Sequence, residues 1–374
     1  MRILHILRAP VGGLFRHVRD LAEAQAARGH DVGVLCGGSA SDSLTSARLA
    51  ELEPHLSLGL HRVPMPRGLG IGDIAATRKT RELLTTLAID ISHGHGAKGG
   101  AYARLAVGGD VPARAYYTPH GGSLHYAPTQ LQGRLFMALE QHLASKTSGI
   151  VFESAYSQRI YDAKVGKSLA PSRVVPNGLL QREFIDHKPD ADAADFLFIG
   201  ELRAIKGVDI LLDSLQMVGA RDDRAPPKCI IVGDGPDAEA LRAKANSYNL
   251  GASVTFTGAQ PAPRMFDRAK CLVMPSRAES FPYVILETAA RGMPIITTDV
   301  GGISEITGPT GTRLIEPESA FELKDALVSF LNAQQDFDAA AVALKERTAR
   351  LFSVDRMTDD VLDFYEADRQ RAAA

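Results

Sequence analysis

No run of apolar residues in this chain approaches the roughly 18 that a membrane-spanning helix requires, which excludes a polytopic helical protein. Cysteine is equally scarce, at three in 374 residues. Cys36, Cys229 and Cys271 each lie in or beside an apolar, strand-like run without CxxC spacing or clustered histidine. They read as reduced core thiols, not as a disulfide framework or a metal site. Short internal repeats and low-complexity tracts are also missing. The opening MRILHILRAP is broken by Arg8 and Pro10 too early for a secretory signal and has the pattern of a first strand, so a cytoplasmic protein is expected. Strong net charge is absent as well, at -2, but this conceals an asymmetry. Residues 1–190 carry 22 Lys+Arg against 16 Asp+Glu, and the remainder 20 against 28. A basic first half suits an anionic partner or peripheral contact with an anionic membrane face; ordinary scatter over solvated surfaces is the plain alternative. No nucleic-acid partner is expected.

What the sequence does contain is a near-continuous alternation of strand and helix patterns. With 45% hydrophobic residues, 374 residues are enough for two domains that each bury a core. Arg2–Leu7 reads as a strand, Gly12 and Gly13 as a turn, and 14–28 as a helix with Val18, Leu21, Ala22 and Gln25 on one stripe. Further strands are expected at 31–36, 58–63, 89–92, 115–118 and 149–152, with helices at 74–87, 98–107, 130–146 and 154–165. The loops expected after these strands carry unusual residues: His93, Gly94, His95 and Gly96; Thr118, Pro119, His120, Gly121 and Gly122; Glu153 and Ser154.

A polar stretch at 181–195 interrupts the periodicity and reads as a linker. A second β/α series follows, with strands at 196–200, 229–232, 254–256, 271–274, 294–297 and 313–315 and helices at 207–217 and 236–248. Helical patterns at 320–332, 338–351 and 354–369 close the chain. The expected organisation is an α/β protein of two doubly wound Rossmann-like domains, 1–185 and 196–351, joined by 186–195. Residues 352–374 form a C-terminal helix expected to pack back on the first domain. Asp190 and Asp192 imitate a metal-binding DxD, but no strand precedes them and acidic linkers are common.

Three stretches carry chemistry. Gly233-Asp-Gly235-Pro-Asp-Ala238 after an apolar strand matches a dinucleotide-binding fingerprint, weakly, because it lies mid-chain and Pro236 is an ordinary helix-start residue. In Gly200-Glu-Leu-Arg203-Ala-Ile-Lys206-Gly207, two cations follow a buried strand and enter a helix, where a diphosphate can sit. Between the strands at 271–274 and 294–297, Glu279 precedes a helix and Glu287 lies about two turns along.

These stretches belong to a longer series: GGLFRHVRDLAEAQAARGHDV at 12–32, HGHGAKGGAYARLA at 93–106, TPHGG at 118–122 and VPNG at 175–178. FIGELRAIKGVDILLDSL at 198–215, IIVGDGP at 230–236, FTG at 256–258 and MPSRAESFPYVILETAARGMPIITTDVGGISEI at 274–306 continue it. Taken in order, the series resembles the retaining nucleotide-sugar glycosyltransferases of the GT-B fold. The resemblance implies two Rossmann-like domains facing each other across a cleft. It implies a nucleotide-sugar donor, UDP-sugar before GDP-sugar, and a glycan or lipid-linked glycan acceptor in surface polysaccharide or lipopolysaccharide synthesis. It also implies that Lys206, with Arg203, neutralises the diphosphate leaving group in place of a metal, so that neither metal nor cofactor is expected. Glu279 would hold donor-sugar hydroxyls and Glu287 the ribose hydroxyls. Gly13, Gly233, Ser280, Phe281, Pro282 and Tyr283 fall at donor-binding positions, and His120 beside the transferred sugar. His93, His95 and Asn177 are weaker candidates for the acceptor side.

Three departures stand out. Glu201 occupies a position where the family usually has Arg; Ser280 and Pro282 replace usual glycines, Pro282 removing one N–H; and 37–87 matches no motif. Transfer with retention is implied to proceed on one face of the sugar, the departing phosphate accepting the acceptor's proton. An NAD(P)-dependent oxidoreductase built on the Gly233 loop and a non-catalytic nucleotide- or glycan-binding protein remain the alternatives.

Overall fold

The computed structural model describes residues 1–38, 43–68, 70–121, 131–221 and 226–373. They form two compact units, Met1–Gly178 with 354 onward, and Leu179–Ser353.

The first unit begins with β1 (Arg2–Leu7), α1 (Gly12–Ala27), β2 (Asp31–Gly37), α2 (Ser43–Leu52), β3 (Leu60–Val63) and α3 (Ile71–Thr86). It continues through β4 (Ile91–His95), α4 (Gly96–Ala106), β5 (Arg114–Thr118), α5 (Leu131–Ala144), β6 (Gly149–Phe152), α6 (Ala155–Lys164) and β7 (Ser172–Val174). The strands make one parallel sheet in the order β3-β2-β1-β4-β5-β6-β7. Both faces are covered, which is why the strands read as nearly unbroken apolar runs. Leu4, Ile6 and Leu35 pack with Tyr102 and Ala103 of α4 on one face. Leu7, Val32 and Val34 pack with Phe15 and Val18 of α1 on the other.

The second unit runs through β8 (Ala194–Ile199), α7 (Val208–Arg221), β9 (Cys229–Val232), α8 (Ala238–Ser247), β10 (Val254–Gly258) and β11 (Ala269–Met274). After these come α9 (Tyr283–Arg291), β12 (Ile295–Thr298), α10 (Ile303–Thr307), β13 (Arg313–Ile315), α11 (Ala320–Asn332) and α12 (Gln334–Leu351). Its parallel sheet has the order β10-β9-β8-β11-β12-β13. Alternate residues of β8 face opposite cores, Phe196 and Phe198 toward α7 and α11 and Leu197 toward α9 and α12. The last helix, α13 (Val354–Ala373), belongs to the first unit and packs on α1 and the sheet, where Tyr365 stacks edge-on against Tyr116 at 4.5 Å. Among the described residues no helix is long and apolar enough to cross a membrane.

The alternation of elements expected from the sequence is present, with the α/β class and the two parallel sheets. One placement needs correction. His93 and His95 were expected in a loop after a strand ending at 92, yet both lie inside β4, paired with β1 on one side and β5 on the other. Gly94 explains the longer strand: a Cβ there would stand 2.4 Å from the Gly99 carbonyl oxygen, so only glycine lets α4 settle this close to the sheet. The residues read as linker hold to the second unit. His187 N–H donates to Arg291 O (2.8 Å) and Asp190 N–H to Asp267 O (2.7 Å). Asp190 and Asp192 lie before β8, at the amino edge of its sheet. All three cysteines are buried and free.

One buried ion pair stands in the first unit. Arg104 on α4, fully buried, meets Glu140 on α5 at 2.9 Å and stacks over the Tyr117 ring at 3.9 Å, while the Tyr117 hydroxyl donates to Glu140 at 3.0 Å. Removing one member leaves a charge without its counterion in a dry core. Arg104→Met is therefore expected to cost about 3–5 kcal/mol in denaturant unfolding, and adding Glu140→Gln should return part of it.

Candidate functional site

In an open parallel sheet, ligands bind at the carboxyl edge beside the point where strand order reverses. In the second unit that point lies between β8 and β11, because β9 and β10 build outward on one side of β8 and β11 to β13 on the other. The loops leaving these two strands carry the expected cation and carboxylate. Lys206 ends a 3-10 turn (Ala204–Lys206) after β8, and its Nζ lies 2.6 Å from Glu279 Oε1 in the loop after β11. Ser276 Oγ donates to the same oxygen at 2.7 Å. Glu279 is 8% exposed, whereas the Lys206 side chain retains 26% exposure. A buried carboxylate thus holds a cation whose face remains open to solvent.

The loop conformation is fixed by a second set of bonds. Arg277 forms two bonds to Asp209 at the start of α7 (2.8 and 2.7 Å), pairs with Glu318, and donates to the Ala204 carbonyl. Its own N–H donates to Ile205 O (2.8 Å). The Arg277 guanidinium holds the Asp209 carboxyl below the usual carboxylate range. Thr298 Oγ1 donates to Ser276 O (2.6 Å), and Gly302 N–H to Ser280 O (2.8 Å), tying the loop after β12 to the same cradle. Pro282 takes the N-cap position of α9 in an extended conformation, so the N–H it lacks falls outside the helix. Phe281 and Tyr283 are buried, Phe281 edge-on to Phe352 at 5.5 Å. Glu287 is half-buried on the second turn of α9.

Other expected residues sit differently. Arg203 is exposed and 3.5 Å from Glu201, so the two partly offset each other's charge. Gly233 donates its N–H to Gly258 O (2.9 Å), and a Cβ on it would lie 1.8 Å from Gly200 O. The Gly233 loop therefore needs its glycine to pack two strand-end loops together. At the start of α1, Gly12 adopts the positive φ (64°) and Gly13 is helical and exposed.

The first unit reverses its strand order between β1 and β4, and histidines gather there. Gln25 Oε1 lies 2.8 Å from His5 Nε2, His5 Nδ1 3.0 Å from His95 Nε2, and His95 Nδ1 3.1 Å from His120 Nε2. His17 on α1 stands edge-on to His120, with ring centres 4.8 Å apart, and its Nδ1 lies 2.9 Å from Asn177 Oδ1. His93 is fully buried, with Nε2 at 2.8 Å from Thr118 and Nδ1 at 2.5 Å from the Tyr365 hydroxyl. His120 is half-buried and, unusually for a non-glycine residue, has a φ of 50°. Gly122, the last residue of TPHGG, lies outside the described residues.

Two family models cover the chain in tandem: the "Glycosyl transferase 4-like domain" over residues 12–178 and "Glycosyl transferases group 1" over 181–348. The chain belongs to the group 1 glycosyltransferases of the GT-B fold. It is 28% identical over 375 residues to a glycogen synthase of Mycobacterium tuberculosis, covering 94% of this chain and 87% of that protein. A putative teichuronic acid biosynthesis glycosyltransferase, TuaC of Bacillus subtilis, is 27% identical over 70% of this chain and 65% of its own. Among solved structures, Anabaena HepE in complex with UDP and glucose superposes with a TM-score of 0.81 at 18% identity, over 98% of this chain and 99% of its own.

The candidate site contains residues that the sequence pattern does not mark. Ser276, Arg277 and Asp209 brace the Lys206–Glu279 pair, and nothing in their local pattern marks them, because their partners are about 70 residues away for Arg277. His5, His17 and Gln25 did leave a signal: a histidine inside the apolar strand RILHIL, and polar side chains among the buried residues of α1.

Burial keeps the cluster neutral. It lowers His5 to about 4, against a hydrogen bond that His5 donates to Gln25 and that favours the cation, and it lowers His17 to about 3, assisted by the charge of His120. Burial lowers His120 to about 3 and takes His93 and His95 well below the ordinary value. A folded value below the unfolded 6.5 means the stability is fully present above about pH 6.5 and is lost as pH falls toward the folded values. Taking the protein from pH 7 to pH 5 should cost about 2 kcal/mol for each of His5 and His17 in urea unfolding of the first unit. A flat profile over that interval would contradict a buried neutral cluster.

Proposed function

We propose that this glycosyltransferase moves a hexosyl group from a nucleoside diphosphate sugar, a UDP-sugar before a GDP-sugar, to a hydroxyl of a glycan or lipid-linked glycan with retention at the anomeric carbon. The observation that carries the reading is the Lys206–Glu279 pair at the strand-order reversal of the second sheet. Lys206 is held by a buried carboxylate with its exposed face toward solvent, as a cation must be to meet the diphosphate that departs with the electron pair of the broken C–O bond. The other Glu279 oxygen takes no part in the bonds from Lys206 and Ser276, and in this reading accepts hydroxyls of the donor sugar. Glu287 accepts the ribose hydroxyls, and backbone N–H groups at the start of α9, among Ser280, Phe281 and Tyr283, contact phosphate with the helix dipole. Arg203 adds positive charge at the edge. Gly13 and His120 are assigned to the donor phosphate and the transferred sugar on the family resemblance.

The reaction in this reading breaks the bond from C1 to the β-phosphate oxygen and forms one from C1 to the acceptor oxygen. The acceptor proton passes to the departing phosphate. Positioning and charge stabilisation then supply most of the rate, and no metal is needed at the diphosphate. The names of the relatives support a polymer or cell-surface glycan as acceptor, and a cytoplasmic enzyme meeting lipid-linked acceptors at the inner membrane face fits the basic first half.

Incubation with a panel of nucleotide sugars and glycan acceptors, read as released nucleoside diphosphate, tests the activity. Turnover is expected with a UDP-sugar, to persist in EDTA, and to fall at least about 100-fold in Lys206→Ala with the fold intact. Near-normal turnover in that variant, or loss of all activity in EDTA, would sink the assigned roles. Flotation with anionic liposomes addresses the membrane contact separately: co-migration is expected, and its absence removes that part of the proposal.

A further inference from the structure

In the histidine cluster of the first unit one buried ring nitrogen, His17 Nε2, has no hydrogen-bond partner. We propose that His17, His95 and His120 form a binding site for one divalent transition-metal ion of the zinc class, within the first unit and distinct from the diphosphate chemistry assigned to Lys206. Ligating atoms of the three lie within 4.8 Å of one another. Imidazoles sharing one tetrahedral ion at metal–nitrogen distances of about 2.0–2.1 Å have ring centres about 5 Å apart and ligating nitrogens about 3.3 Å apart. The observed centre-to-centre separations are 4.8 Å for His17–His120, 5.4 Å for His95–His120 and 5.5 Å for His17–His95, and the His95 Nδ1 to His120 Nε2 distance is 3.1 Å. His17 Nε2 is buried without a hydrogen-bond partner, although His17 is only 1% exposed, so a lone pair or a proton is otherwise stranded there.

The surrounding bonds suit the neutral tautomers a metal requires. Asn177 Oδ1 accepts the Nδ1 proton of His17, which leaves Nε2 as the ligand atom. His5 Nδ1 accepts the Nε2 proton of His95, and Gln25 Oε1 accepts the Nε2 proton of His5, which leaves the His95 Nδ1 lone pair facing His120 Nε2 at 3.1 Å, where an ion would replace the proton the two nitrogens share. Such outer partners fix ring orientation and raise ligand basicity. Glu153 and Asp20 lie close enough to His17 to favour positive charge there. His120, the one half-buried ligand of the three, gives the ion its way in and leaves a fourth position for water. The neighbouring trio of His5, His93 and His95 does not compete. Its His93 and His95 rings are 4.1 Å apart, and both nitrogens of His93 are bonded outside the trio, to Thr118 and to the Tyr365 hydroxyl.

The test uses the full chain stripped with EDTA and titrated with Co2+, followed by absorption and by stoichiometry after gel filtration. One equivalent with the intense visible bands of four-coordinate cobalt is expected, displaced by Zn2+ but not by Mg2+. His17→Ala should lose the bands, Asn177→Ala should weaken binding about 10-fold with its far-UV circular dichroism unchanged, and the exposed His55→Ala should change nothing. A wild-type protein that binds less than half an equivalent, shows only octahedral cobalt, or keeps its bands in His17→Ala overturns the proposal. His120 is the residue the two readings share; because the readout is the metal's own spectrum and not turnover, failure here leaves the Lys206–Glu279 reading standing, and failure of that reading leaves this one standing.

Discussion

The reversal of strand order beside the first strand of each sheet is the constraint on which the rest depends. A parallel sheet covered on both faces buries its side chains, and the loops that leave its carboxyl edge diverge only where neighbouring connections run to opposite faces. In the second unit that place is between β8 and β11, and it holds Lys206 and Glu279. In the first it is between β1 and β4, and it holds His5 and His95 within the histidine cluster. Each sheet thus creates one location where polar side chains can converge, and each fills it with different chemistry.

The two locations are electrostatic opposites. Lys206 is held by a fixed carboxylate and by the Arg277–Asp209 brace behind it, an arrangement that keeps positive charge in place before any ligand arrives. Preorganised charge of this kind costs no rearrangement when negative charge develops on a leaving group. The histidines are kept neutral by burial, and their hydrogen-bond chain from Gln25 to His120 orients rings without adding charge. A donor diphosphate suits the first setting, and neutral nitrogen ligands or hydroxyl partners suit the second.

Much of this was legible in the sequence, for physical reasons that also mark its limits. Buried parallel strands announce themselves as short apolar runs, so β1, β9 and β11 are legible in the sequence, and the order of motifs points to the family. Lys206 and Glu279 were recoverable because each follows such a run. Local pattern does not reveal what lies across the sheet. Gly94 looked like a loop glycine, but the close approach of α4 makes it part of β4 and carries His93 and His95 into the strand. The Gly233 fingerprint is weak for the related reason that glycine permits close approach to a neighbouring loop as readily as to a phosphate. Arg277 and Asp209 could not have been paired from sequence, since only the adjacency of β8 and β11 brings them together.

The central claim is that Lys206 recognises a diphosphate, and comparing UDP with uridine measures it most directly. Calorimetric titration of the wild-type protein and Lys206→Ala with both ligands separates phosphate binding from base and ribose binding. The account predicts that Lys206→Ala binds UDP at least about 10-fold more weakly while its affinity for uridine is unchanged. Equal UDP affinity in the two proteins would contradict it.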